Sequence, residues 1–345
     1  MKELIINTLR SNEILSQIQT CIQGELLEVH GERVLTFNNK LGKGSLRTIA
    51  FDRGVSLFDC NITLAEEAKL IFISKDLSPI EFIFISEGYF TYSSNNMEDD
   101  TRIEQFQNTI IAHKRNAKKT FLFPKDKSLK ISFIRIDRKA YLLKKNNNIS
   151  RLNQFLISLF TDSEGETTFK HVGNYSLRIA DEIKLLNNVD TTNGMLRSLS
   201  LEGRLYLILA MQLLEHKNFE ENMNIPEVIS KEDILKIHKL TTYILEHISD
   251  NIPISTLSSA SGLSPKKLQL GFKILYSKTV NEYVRQLKLE ISKDYLKNSD
   301  MSISEIVYAI GIKSRSYFSK IFFEAYGILP TEYRKHLKNK NSSLP

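Results

Sequence analysis

Cysteine is nearly missing from this chain: 345 residues hold only Cys21 and Cys60. Two cysteines make no disulfide framework, and a reducing, cytoplasmic setting is the simplest expectation. Long apolar runs are missing too. The longest are IEFIFIS (80–86) and LYLILAMQLL (205–214), half or less of the ~20 residues that span a bilayer, so no membrane segment is expected. The opening MKELIINTLRSNEILSQ mixes charged and apolar residues and lacks the apolar core of a signal peptide. Histidines are few and scattered: His30, His113, His171, His216, His238, His247 and His336. None forms an H-x-H or H-x3-H pair, so no metal, no cofactor and no metal catalysis is expected.

Net charge is also absent from most of the chain. Residues 231–340 hold 18 Lys and Arg against 11 Asp and Glu, which is the entire net charge of +7. The rest is balanced, with 29 of each sign. A basic excess confined to one third points to a polyanion, most often nucleic acid.

Composition is otherwise that of folded domains, 41% apolar and 25% charged. From about residue 33 to 143, short β-branched and aromatic runs such as SLRTIAFD, KLIFIS and LKISFIRID alternate with turn-formers such as KDLSP and SSNNMEDD. This predicts a small β-sandwich or barrel. Phe82, Phe84, Tyr89, Phe90 and Tyr92 are its core or line a pocket. The basic run HKRNAKK (113–119) reads as a surface loop. The spacing then turns helical over 176–186 and 195–217. A polar stretch with Pro226, residues 218–233, reads as a linker. We therefore expect an N-terminal helical segment (1–32), a β-rich domain (33–143), a helical connector or dimer region (144–217), the linker (218–233) and an all-helical domain (234–340).

The basic third contains an internal repeat. ISTLSSASGLSPKKLQLGFKILY (254–276) matches ISEIVYAIGIKSRSYFSKIFFEAY (303–326). Ile254, Leu257, Ala260 and Gly262 align with Ile303, Ile306, Ala309 and Gly311, 49 positions on. After one inserted residue the offset is 50, aligning Leu268, Phe272 and Tyr276 with Phe318, Phe322 and Tyr326, and Glu282-Tyr283 with Glu332-Tyr333. In each copy a short helix stops at a glycine, which accepts the left-handed turn. Ser264 or Ser314 then caps a second helix, whose inner face is Leu268, Phe272 and Leu275, or Phe318, Phe322 and Ala325. This is a helix-turn-helix written twice. TVNEYVRQLKLEISKDYLKNS (279–299) joins the copies as one helix, with Val280, Val284, Leu287, Ile291 and Tyr295 as its stripe. Its ~30 Å approaches the ~34 Å between major grooves on one face of DNA.

With SISEIVYAIGIKSRSYFSKIFFEAYGILPTEYRK (302–335) in view, residues 234–336 resemble the DNA-binding domain of AraC/XylS-type bacterial transcription regulators. LQLGFKILYSKTVNEYVRQLKLE, in the first copy, resembles the pyochelin-type siderophore-regulator branch. Phe323, Leu329 and Leu270 depart from the family pattern, which usually has lysine, a small polar residue and a basic residue there. The resemblance implies a multidomain α+β protein. A cupin-like N-terminal barrel with trailing helices would sense a small-molecule effector, siderophore-like in that branch. The all-α C-terminal domain would set two recognition helices, about 264–276 and 314–326, in successive major grooves of promoter DNA. RNA polymerase and a second copy of the chain are the further partners implied.

In the first recognition helix Lys266, Lys267, Gln269 and Lys273 are expected to face outward. Lys266 and Gln269 match base-edge positions of the family, while Lys267 and Lys273 suit phosphates. In the second, Arg315, Ser316, Tyr317 and Lys320 are the outward set, with Arg315 suited to guanine. Glu282 and Glu332 read as helix caps. No catalytic residue is expected. Two other classes fit a basic helical tail: an alkyl-transfer repair protein, which needs Cys21 or Cys60 as a reactive thiolate, and an architectural DNA binder without ligand control.

Overall fold

The computed structural model describes residues 1–73, 75–95, 100–189, 193–220 and 229–342. The chain forms two compact units, Met1–Asn224 and Ile225–Pro345. The expected linker overlaps this division, but residues 221–228 lie outside the described residues.

In the first unit the strands are β1 (Lys2–Ile6), β2 (Glu25–Val29), β3 (Glu32–Asn39), β4 (Gly42–Ala50), β5 (Val55–Leu64), β6 (Ala68–Ile73), β7 (Ile80–Glu87), β8 (Phe90–Ser94), β9 (Thr101–Ile103), β10 (Gln107–Ala112), β11 (Lys118–Phe123), β12 (Ser128–Ile136) and β13 (Phe169–Tyr175). Among the described residues they form two sheets, ordered β1-β6-β11-β8-β9 and β13-β10-β7-β12-β5-β4-β3-β2. The barrel expected from the resemblance is not seen: neither sheet closes on itself. The two sheets instead share a core, with Phe90 and Phe121 of one sheet 6.4 and 5.6 Å from Phe133 of the other. Aromatic rings on both inner faces fill the space that a barrel lumen would occupy. Phe82, Phe84, Phe90 and Tyr92 are all buried.

The helices of this unit are α1 (Ser11–Ile22), α2 (Arg138–Leu142), α3 (Gln154–Thr161), α4 (Leu177–Asn187) and α5 (Gly194–Glu220). Two expectations need correction. Residues 1–32 are not simply helical, because β1 pairs in parallel with β6 and β2 pairs with β3 on either side of α1. Nor is 144–217 purely helical, since β13 adds to β10 at a sheet edge. β1, β2 and β13 are all edge strands, whose identity depends on the single strand each pairs with.

The run 113–119 is the expected surface loop over Lys114, Arg115 and Asn116, but not at its ends. Its ends are buried, His113 fully and Lys119 to within 2%. Lys119 pairs with Glu81 at 2.8 Å, and Arg135 reaches the same carboxylate at 3.4 Å. Burial pushes the Glu81 carboxyl up, and the two cations more than reverse this, holding it below its ordinary value. Tyr92 hydrogen-bonds the His113 ring beside this cluster. Burial beside Lys119 takes the His113 pKa down to about 3, so the ring is neutral. His171 of β13 and His216 of α5, far apart in sequence, stack edge to face at 4.5 Å.

One row of α5 is exposed among the described residues. Leu196, Ser200, Gly203, Leu207, Ala210, Leu214 and Lys217 are all exposed. They alternate at spacings of four and three, which is a heptad seam.

The second unit consists of α6 (Lys231–Glu246), α7 (Ile254–Ser261), α8 (Pro265–Tyr276), α9 (Val280–Asn298), α10 (Ile303–Ala309), α11 (Arg315–Tyr326) and α12 (Pro330–Ser342). Ser230 and Asp233 start α6 with a reciprocal capping box. α9 packs against α8 on one side and against α10 and α12 on the other. Its buried residues are Val280, Tyr283, Leu289, Ser292 and Leu296. Val284, Leu287, Ile291 and Tyr295 of the expected stripe are half-buried, because a helix gripped from two sides buries two stripes.

Candidate nucleic-acid interface

Each copy of the repeat builds the same corner. α7 ends at Gly262 and α10 is followed by Gly311, with φ of +69° and +63°. Ser264 accepts from the Lys267 amide to cap α8, and Ser314 accepts from the Tyr317 amide to cap α11. Pro265 fills the first turn of α8, where its missing N–H costs nothing.

The inner faces repeat as well. Phe272 lies 5.3 Å from Tyr276 and 5.3 Å from Tyr283. Fifty residues on, Phe322 lies 4.7 Å from Tyr326 and 5.7 Å from Tyr333. The inner face of α11 is Phe318, Ile321 and Phe322. Ala325, expected there, is exposed, since Ile321 takes its share of the core. Glu282 closes a capping box with Thr279, and Glu332 accepts from the Leu329 amide. Both glutamates are helix caps. Gly271 is a close-approach site, for a Cβ there would stand 2.2 Å from Ile237 of α6.

Opposite each inner face runs an outward row at i, i+4, i+7. On α8 it is Lys266, Leu270 and Lys273, of which both lysines are exposed and Leu270 is half-buried. On α11 it is Ser316, Lys320 and Phe323, all exposed. Arg315 and Tyr317 are exposed at the first turn of α11. Lys320 meets Glu324 only at 3.9 Å on an open surface, a pair that gives way readily.

Two expected outward residues are committed elsewhere. Lys267 forms an ion pair with Asp233 at 2.7 Å. Burial raises the Asp233 pKa, but Lys267 and the Ser230 hydrogen bonds bring it below its usual range. Gln269 lies to the side of the row, where its Oε1 accepts from the Val280 amide at 3.4 Å and satisfies the first turn of α9. Neither partner is visible from the local pattern of α8.

Between the copies α9 runs unbroken for 19 residues, about 28 Å. Lys288 of α9 donates to the Gly311 carbonyl at 3.2 Å, which ties the spacer to the second corner.

Comparison with known proteins places this unit. Residues 257–336 match the family model of a helix-turn-helix domain. The chain is 32% identical over 110 residues to the regulatory protein PocR of Salmonella typhimurium, covering 32% of this chain and 36% of that protein. It is 31% identical over 101 residues to the regulatory protein SoxS of the same organism, covering 29% of this chain and 94% of SoxS. The chain belongs to the AraC/XylS family of transcription regulators. A solved AraC-type regulator from Chromobacterium violaceum aligns at 22% identity over 30% of this chain and 91% of that one, with a TM-score of 0.29. The family match lies within the second unit. The chain thus spans about a third of PocR's length, and Met1–Asn224 has to be read from its own residues.

Elsewhere in this AraC/XylS-family chain, Cys60 is buried, and burial together with Asp59 pushes its thiol well up. Among the described residues no group of three or more His, Cys, Asp or Glu is placed to hold a metal ion. No helix of the described residues is long and apolar enough to cross a membrane.

Proposed function

We propose that this protein is a sequence-specific transcription regulator that lays α8 and α11 in successive major grooves of promoter DNA. The observation that carries this reading is the duplication itself: two corners of matching internal geometry, each with an outward row, fixed to one rigid spacer. The ~28 Å of α9 approaches one DNA turn, ~34 Å. Lys266 and Lys320 are centred for base edges or nearby phosphates. Arg315 suits guanine O6 and N7, Ser316 and Tyr317 flank it, and Lys273 suits a phosphate. Lys267 and Gln269 support the helix from its sides instead of reading the groove.

The test is selection from a randomised duplex library at near-physiological salt. The wild type should enrich two half-sites about one turn apart. A Lys266→Ala/Arg315→Ala chain should lose that motif and keep a salt-dependent background. Equal enrichment by both chains would refute the assignment of the reading residues. An architectural binder would give background alone.

Met1–Asn224 is read as the regulatory half, taking a small-molecule effector and biasing how the second unit engages DNA and RNA polymerase. The exposed heptad seam of α5 suits a second copy of the chain, with Gly203 and Ala210 allowing close approach. Leu207→Asp should then convert a dimer to a monomer in sedimentation velocity, while a wild type already monomeric at tens of micromolar would exclude the seam. The alkyl-transfer reading is the weaker one, because buried Cys60 lacks the electropositive, accessible setting of a reactive thiolate and half-buried Cys21 packs on the apolar core.

A further inference from the structure

Phe323 is 51% exposed on the outward row of α11, and its row-mates Ser316 and Lys320 are polar. The inner face of the helix is complete without it: Phe318, Ile321 and Phe322 are at most 4% exposed. The equivalent position of the first copy, 50 residues earlier, is the exposed Lys273. The same place in the same corner thus carries opposite chemistry in the two copies.

A ring left half in water on a polar row gains free energy when an apolar surface covers it. In the major groove that apolar surface is the 5-methyl of thymine, the feature that phenylalanine side chains contact. From Ser316 to Phe323 the helix rises about 10 Å, or about three steps of 3.4 Å along one strand. The row ends at Gly327, where nothing lies within 4 Å of the place a Cβ would occupy.

We propose that Phe323 is a specificity-determining residue that packs its ring on a thymine methyl, about three base steps from the pair beneath Ser316. The proposal rests on the reading of α11 as a recognition helix.

Methyl deletion on the DNA side tests it with full-length protein. In the duplex selected from the library, each thymine of the α11 half-site is replaced in turn by deoxyuridine, which removes only the methyl. Wild-type affinity should fall about three- to fivefold at one position, the worth of one buried methyl group. Phe323→Ala should weaken binding to the parent duplex by a similar factor and be indifferent to deoxyuridine at that position. Phe323→Lys, which carries the residue of the first copy, should bind the parent duplex without distinguishing the two bases. Circular dichroism should show all three chains equally folded. A wild-type motif with no thymine whose methyl is coupled to Phe323 overturns this proposal alone. A library without any motif overturns the recognition-helix reading with it. Unchanged DNA binding by Phe323→Ala with lost promoter activation would assign the ring to a protein partner and refute the thymine contact.

Discussion

Gly311→Ala should wreck the second helix-turn-helix, whereas the same change at Gly262 should leave the first standing. Both glycines have positive φ, so each alanine incurs the left-handed cost of roughly 1–2 kcal/mol. Their surroundings differ. A Cβ on Gly311 would lie 2.1 Å from the Ser249 carbonyl oxygen and 2.5 Å from its carbon, both backbone atoms, while nothing lies within 4 Å of one on Gly262. To accept the alanine, the α6–α7 connection must move away from the corner. The total for Gly311→Ala should exceed about 4 kcal/mol, the range of severe backbone and packing conflicts. Hydrogen exchange over 303–326 should lose its protection in Gly311→Ala, and DNA binding should go with it. Gly262→Ala should shift protection over 254–276 only modestly. Equal behaviour of the two variants would show that the corner does not press on Ser249.

A comparable loss is expected in the other unit from Glu81→Gln. Glu81 is the carboxylate that Lys119 and Arg135 share, and all three are at most 3% exposed. Without its charge, two cations remain in a dry interior. Breaking a buried ionic group on one side costs about 3–5 kcal/mol. Lys119→Met should cost far less, because it leaves the Glu81–Arg135 pair balanced one to one. Urea unfolding of the full-length chain, followed by exchange of the β7 and β12 amides, separates the two cases. If Glu81→Gln unfolds within about 1 kcal/mol of the wild type, the cluster is hydrated or already neutral.

The two units differ in how much their residues disclosed. The duplicated corner was legible because its determinants are local: a glycine after each short helix, a serine cap, and phenylalanines and tyrosines at fixed spacing. What that pattern lacks is long-range partners. Lys267 looked free because Asp233 lies two helices upstream, and Gln269 because Val280 begins the next one. The β-rich character of 33–143 was also legible, and its sandwich form stood among the alternatives. The strands β1 and β13 were not, since an edge strand takes its identity from the neighbour it pairs with. The buried ends of HKRNAKK escaped for a similar reason. A lysine reads as solvated until a carboxylate on another strand is found facing it. His171 and His216 likewise meet only through the packing of β13 against α5.

The two corners also solve one problem by different means, with a result for which substitutions each can tolerate. Val280 opens α9 with an amide that needs a partner, and Gln269 supplies it. Fifty residues on, the same helical position is Pro330, which has no amide to satisfy, and the place of Gln269 is taken by Ser319. A ring closure in one copy thus does the task of a side chain in the other. α11 has one more position free to drift without disturbing the helix behind it. Substitution at Ser319 should therefore leave the start of α12 intact, whereas substitution at Gln269 should loosen the start of α9.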